Sequence, residues 1–137
     1  MTHHQETHDN VQIIKGSFRE IVENPIFDRR LVDKYFSADY EQHVDGKDLT
    51  FANFLKHMEA QKKVTKSVTI TFKTIAQQDD VVFTNHYATA RKQDGSEAKV
   101  HVIAEFKLKD GKICYCDELT HMLSGDETDR DLGSRVD

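Results

Sequence analysis

Apolar residues in the first half of the chain recur at helical spacing. Val11, Ile14, Phe18, Ile21 and Val22 form one stripe, with Asp9 or Asn10 placed to cap it and Asn24-Pro25 placed to stop it. Asp28 can cap a second, short helix whose inward positions are Leu31, Val32, Tyr35 and Phe36. After the irregular stretch SADYEQHVDGKDL, Thr50 can cap a third helix presenting Phe51, Phe54, Leu55 and Met58. The period then falls to two. Val68, Ile70 and Phe72 alternate with threonine and lysine, and Asp79-Asp80 turns into VVFTNHYATAR. Asp94-Gly95 and Asp110-Gly111 are hairpin signals leading into KVHVIAEFKL and KICYCDELTHML. Four long strands joined by short turns make a curved antiparallel meander. With three helices before it, the chain reads as an α+β domain, helices packed on one sheet face.

Composition narrows the class. The 137 residues are one domain's worth of chain, and 37% hydrophobic with 31% charged residues suits a globule with a real core. The net charge of -5 argues against holding nucleic acid by overall charge, and equally against a basic membrane-surface helix. No run approaches 18 apolar residues, and MTHHQETHDN lacks the apolar core of a secretory signal. Cys114 and Cys116 sit one residue apart, where a disulfide would be strained. Two free thiols and a cytoplasmic location are therefore expected. The organisation expected is a polar leader over residues 1–8, a domain over 9–123 and a polar tail over 124–137.

The order of these elements, with the Y-x-x-H-x-x-G passage at Tyr40–Gly46 and the run EFKLKDGKICYCDE, resembles the SnoaL-like branch of the nuclear transport factor 2-like superfamily. The match spans nearly all of residues 9–123. It implies a cone with three N-terminal helices on a curved antiparallel sheet and a deep, largely apolar pocket. Polyketide cyclases, ketosteroid isomerases, dehydratases, epoxide hydrolases and non-enzymatic binders share it, so the fold does not fix the function. The resemblance places His43 where isomerases carry a general base, and Glu118 where cyclases carry an inward acid/base carboxylate. It also places Phe18 and Ala104 where isomerases carry oxyanion donors. Neither can donate to a developing enolate, which argues against a steroid-isomerase mechanism.

Strand parity assigns the side chains. Cys114, Cys116, Glu118 and Thr120 share one face of the last strand; Val100, Val102, Ala104 and Phe106 share one face of the strand before it. The resemblance turns these rows into the cone. Glu118 is then a carboxyl among apolar groups, where desolvation raises its pKa toward the range useful for proton transfer. A histidine is the natural partner. Phe18, Tyr40, Phe54 and Met58 are the expected ligand-contacting residues of the first half. Phe83, Asn85, Tyr87, Val102, Phe106 and Cys116 are those of the strands. The same residues have plainer readings. An inward glutamate can simply bond a tyrosine such as Tyr35, Tyr40 or Tyr87, and a loop histidine can be a capping residue.

His43, Asp45 and Asp48 lack the supporting ligands of a recognised metal motif, and His3, His4 and His8 lie in the leader; no metal and no cofactor are expected. Val82, Ile103, Ile113, Tyr115 and Leu119, interspersed with His86, His101 and Glu105, read as an outer face too apolar for bare solvent. Related proteins dimerise there, so the resemblance implies a homodimer. The function expected is binding of a small, largely apolar molecule, with cofactor-free isomerisation, cyclisation or dehydration through His43 and Glu118. The alternative is a non-catalytic ligand-binding or protein-interaction module.

Overall fold

The computed structural model describes residues 9–125, so the expected leader and residues 126–137 of the expected tail lie outside the described residues. Each helix begins at a side chain that accepts an otherwise orphaned backbone N–H. Asp9 accepts from the Gln12 amide ahead of α1 (Asn10–Ser17), and Asp28 from the Arg30 amide ahead of α2 (Arg29–Tyr35). Thr50 and Asn53 form a reciprocal capping box ahead of α3 (Phe51–Val64). α1 runs on into a π-helical turn, Phe18–Val22. The helix ends there, so its last carbonyls have no intrahelical donor, and Lys62 Nζ donates to two of them, Ile21 O and Val22 O, each at 2.8 Å. Burial pulls the Lys62 ammonium down to a pKa of about 8.

The strands are β1 (Phe36–Val44), β2 (Lys47–Leu49), β3 (Thr65–Gln78), β4 (Val81–Lys92), β5 (Glu97–Lys109) and β6 (Lys112–Ser124). They form one sheet in the order β2-β1-β6-β5-β4-β3. The α+β class stands, with two corrections. Only α1 and α2 precede the sheet, because the stretch read as irregular is the β1–β2 hairpin and α3 follows it. The sheet is also mixed rather than wholly antiparallel: β1 runs parallel to β6, pairing Val44 with Glu118. The alternation of β1, Phe36, Ala38, Tyr40 and Val44, is broken by the buried polar Gln42, and its first residue continues the helical spacing of Val32 and Tyr35. Its turn, Asp45-Gly46, carries the same signal as Asp110-Gly111: both central residues have positive φ in each (50° and 85°; 53° and 80°).

Register shifts that curve the sheet include bulges at Lys73 in β3 and at Cys114 in β6. The core between sheet and helices centres on Ile14, Val32, Val82 and Ile113, none of which has accessible surface. Gly16 lets α2 approach α1. A Cβ there would lie 2.6 Å from Tyr35 Oη, the hydroxyl that donates to Glu20. Gly16→Ala gains about 1 kcal/mol of helix propensity but displaces a buried ring. A net destabilisation of about 1–2 kcal/mol in urea unfolding is the expected result.

Candidate functional site

A cavity of about 150 Å³ lies between the concave sheet face and the helices. β5 lines it with Ala98, Val100, Val102 and Phe106, a run of roughly 25 Å at strand rise. Small residues on β4, Ala88 and Ala90, keep one end open, with Val68 and Ile70 of β3 beside them. Phe36, Tyr40 and Phe54, in mutual ring contact at 4.7–4.9 Å, close the other. Phe18 packs edge-on against His86 (4.9 Å), Phe72 (5.3 Å) and Phe106 (6.0 Å).

Glu118 is the one carboxylate among the described lining residues, and no lysine or arginine lines the cavity there. Its Oε1 accepts from Gln42 Nε2 at 2.9 Å, and Gln42 Oε1 accepts from the Tyr40 hydroxyl at 3.0 Å. Burial pushes the Glu118 carboxyl up to a pKa of about 7; the nearby Asp45 and Asp117 charges add to the rise and the Gln42 bond opposes it. Burial likewise holds Tyr40 and Cys116 well above their ordinary ranges, so both remain uncharged at neutral pH. His86 moves the other way. Burial, helped by His101, pulls it down to about 4, and its Nδ1 lies 2.9 Å from Thr84 Oγ1. Near neutral pH the cavity thus offers a carboxyl raised well above its ordinary range, a neutral imidazole, a phenol and a carboxamide, within apolar walls.

Of the residues expected to contact a ligand, Phe18, Tyr40, Phe54, Met58, Val102, Phe106 and Cys116 line the cavity, as does Glu118. His43 does not. Tyr40, Gln42 and Val44 turn inward from β1 and His43 turns outward, where its ring lies tilted against Tyr115 (5.2 Å) and meets Asp48 at 2.5 Å. The expected His43–Glu118 pair is therefore not brought together in the cavity. Phe83, Asn85 and Tyr87 are also on the outer face: Phe83 is half exposed, Asn85 bonds His101 at 2.6 Å and Tyr87 stacks on the same ring at 4.6 Å. The alternate row of β4, Val82, Thr84 and His86, is buried instead, registered against Phe106, Ala104 and Val102. β4 is apolar on both faces, so only its pairing with β5 could decide. Ile113 is buried and Cys114 lies off the cavity, because the Cys114 bulge reverses parity at the start of β6. The bulge falls before Cys116, which is why Glu118 keeps the facing that simple alternation gives it.

Gln42, His57 and His86 were missed in the sequence. Gln42 and His57 gave no signal beyond being polar, and His86 lay on the wrong assumed row. Among the described residues no group of three or more His, Cys, Asp or Glu is arranged to hold a metal ion, and no helix is long and apolar enough to cross a membrane. Cys114 and Cys116 are both free thiols.

No protein-family model matches the chain. An uncharacterized protein of Schizosaccharomyces pombe is 37% identical over 100 residues, covering 73% of this chain and 77% of the relative. Among solved structures, IdmH of Streptomyces antibioticus, a proposed polyketide cyclase, superposes with a TM-score of 0.71 at 15% identity, over 82% of this chain and 92% of that one. An LEH-like epoxide hydrolase of M. tuberculosis gives 0.71 at 14% identity, over 85% of each chain. A proposed SnoaL-like polyketide cyclase of Jannaschia gives 0.67 at 13%, over 81% and 84%. At these identities the structural likeness is one of fold.

Proposed function

We propose that the chain, whose fold is that of the solved SnoaL-like, nuclear transport factor 2-like structures, is a cofactor-free enzyme that moves protons on a small, neutral, largely apolar molecule, with Glu118 as acid/base. One observation carries this reading: a cavity carboxyl with a pKa of about 7, oriented by Gln42 and facing apolar walls. A group that titrates near ambient pH both takes and returns a proton efficiently. Isomerisation, aldol-type cyclisation and dehydration all need such a group. The absence of a lysine or arginine among the described lining residues favours a neutral substrate over an anion. His43, outside the cavity, has no part. Neutral His86 is a hydrogen-bonding group at hand for a substrate oxygen, whereas the Tyr40 hydroxyl already donates to Gln42. The named neighbours, a proposed polyketide cyclase and an epoxide hydrolase, support an enzymatic reading without fixing the reaction.

The test is proton exchange in D2O, followed by NMR, over a panel of small neutral ketones and β-ketoesters. Exchange by the wild type that disappears in Glu118→Gln supports the reading. If apolar fluorescent probes enter the cavity and no compound exchanges, the protein is a binder. Hydrocarbon at Phe18 and Ala104, in the places of the isomerases' oxyanion donors, is what favours that second reading.

The reading includes a homodimer through the outer sheet face. Leu119 is 64% exposed, directly opposite Ile103 (43%) on the neighbouring strand, with Phe83 (50%) on β4. Apolar side chains of this size usually leave water in a partner's presence. Leu119→Lys is expected to shift the mass in light scattering from about two chains toward one. A wild type already at one chain at micromolar concentration counts against the dimer.

A further inference from the structure

The turn between β1 and β2 reaches back over β6. The parallel ladder ends at Val44 opposite Glu118, yet three hydrogen bonds continue beyond it, all made by Asp45. Its amide donates to the Glu118 carbonyl at 3.0 Å, its Oδ1 accepts from the Thr120 amide at 2.8 Å, and its Oδ2 accepts from the Thr120 hydroxyl. A side chain thus takes the place of the next strand residue and holds β6 on both sides of the Glu118–Thr120 segment. Asp45 adopts φ of 50°, a left-handed conformation open to Asp, Asn and Gly more than to other residues.

We propose that Asp45 is the positioning residue of the Glu118 site: it fixes the stretch of β6 that presents the carboxyl and brings a second negative charge up to it. The inference rests on the reading of Glu118 as the proton-transferring group. The clamp alone does not require a charge. Asparagine suits the same backbone conformation, can accept from the Thr120 amide through Oδ1 and can donate to the Thr120 hydroxyl through Nδ2. An aspartate supplies, in addition, repulsion of the ionised form of its neighbour. The groups around Glu118 agree with that role. Tyr40 and Gln42 face it from β1, Cys116 and Asp117 flank it on β6, and Ala104 lies across on β5 with Glu105 beside it. His86 of β4 and His57 of α3 line the same cavity. The charges of Asp45 and Asp117 both raise the Glu118 carboxyl, and of the two only Asp45 also bonds the Thr120 amide and hydroxyl, Asp117 lying on the outer face. Asp45 itself is exposed, so its influence is open to screening by salt.

The experiment is a carbon-13 NMR titration of the glutamate carboxyls in the full chain, with Glu118 assigned by its absence in Glu118→Gln. It needs no substrate. In Asp45→Asn the Glu118 midpoint is expected to fall by about half a pH unit, the scale of a solvent-screened charge. Thr120→Val keeps the charge and loses only the hydroxyl contact, and should retain most of the wild-type midpoint. In the wild type, 1 M NaCl should lower the midpoint as well, a measurement independent of how any variant folds. A midpoint unchanged in Asp45→Asn and insensitive to salt, or an equal fall in Thr120→Val, reduces Asp45 to a clamp and overturns the proposal, while leaving Glu118 as acid/base. A wild-type midpoint in the ordinary carboxylate range overturns the Glu118 reading itself.

Discussion

Glu118→Gln is expected to lower any proton-transfer activity of this protein by about a hundredfold or more, the usual scale of a lost general acid or base. Glutamine keeps the volume and can still bond Gln42, so the cavity should remain filled and shaped as before. What it removes is the titrating proton. Affinity for an apolar ligand should change far less, because walls such as Phe18, Val102 and Phe106 are untouched. Single-turnover rates and ligand Kd, measured together, separate the two effects. His43→Ala is the informative control. With its side chain on the outer face against Asp48 and Tyr115, its loss should leave the rate within about threefold of the wild type, far from the scale of a lost catalytic base. A hundredfold loss in His43→Ala with none in Glu118→Gln would sink the assignment.

The second large effect concerns stability against pH. Glu118 binds its proton more tightly folded (about 7) than unfolded (4.5), so its contribution is fully present below pH 4.5 and is lost as pH rises through 7. His86 is opposite: with a folded pKa of about 4 against 6.5, its contribution is present above pH 6.5 and lost as pH falls through 4. Each shift corresponds to about 3 kcal/mol, and the two run in opposite directions over nearly the same window. The wild type should therefore show little change from these two groups between pH 4.5 and 6.5. Glu118→Gln should unmask the histidine, its stability climbing by about 3 kcal/mol from pH 4 to 6.5 and staying above the wild type at pH 8. His86→Phe should unmask the glutamate and show a decline from pH 4.5 to 7. Urea unfolding across this range reads both slopes; parallel curves for the three proteins would show that neither group is held as described. A variant that loses activity while gaining stability at pH 8 is what a strained functional carboxyl predicts.

Much of the architecture was legible because it is local. Asp9, Asp28 and Thr50 sit next to the amides they cap, and Asp110-Gly111 carries its own backbone preference. Alternation along β6 put Glu118 on the row of Cys116 and the family resemblance turned that row inward; the facing survived because the Cys114 bulge lies upstream of it. The family resemblance rested on the same order of local elements. Other features depended on contacts far apart in the chain. β1 is a strand because β6, more than seventy residues on, offers it hydrogen bonds in parallel, a pairing that a polar stretch around Gln42 gives no hint of. β4, apolar on both sides, took its facing from β5, which turned His86 into the cavity and Asn85 and Tyr87 out of it. The same β1 pairing put Gln42 against Glu118 and His43 outside. Caps, turns and periodicity are set by neighbours within a few residues, and the sequence determines them by itself; which of two chemically acceptable strand faces is buried depends on a partner strand, and only the tertiary structure decides it.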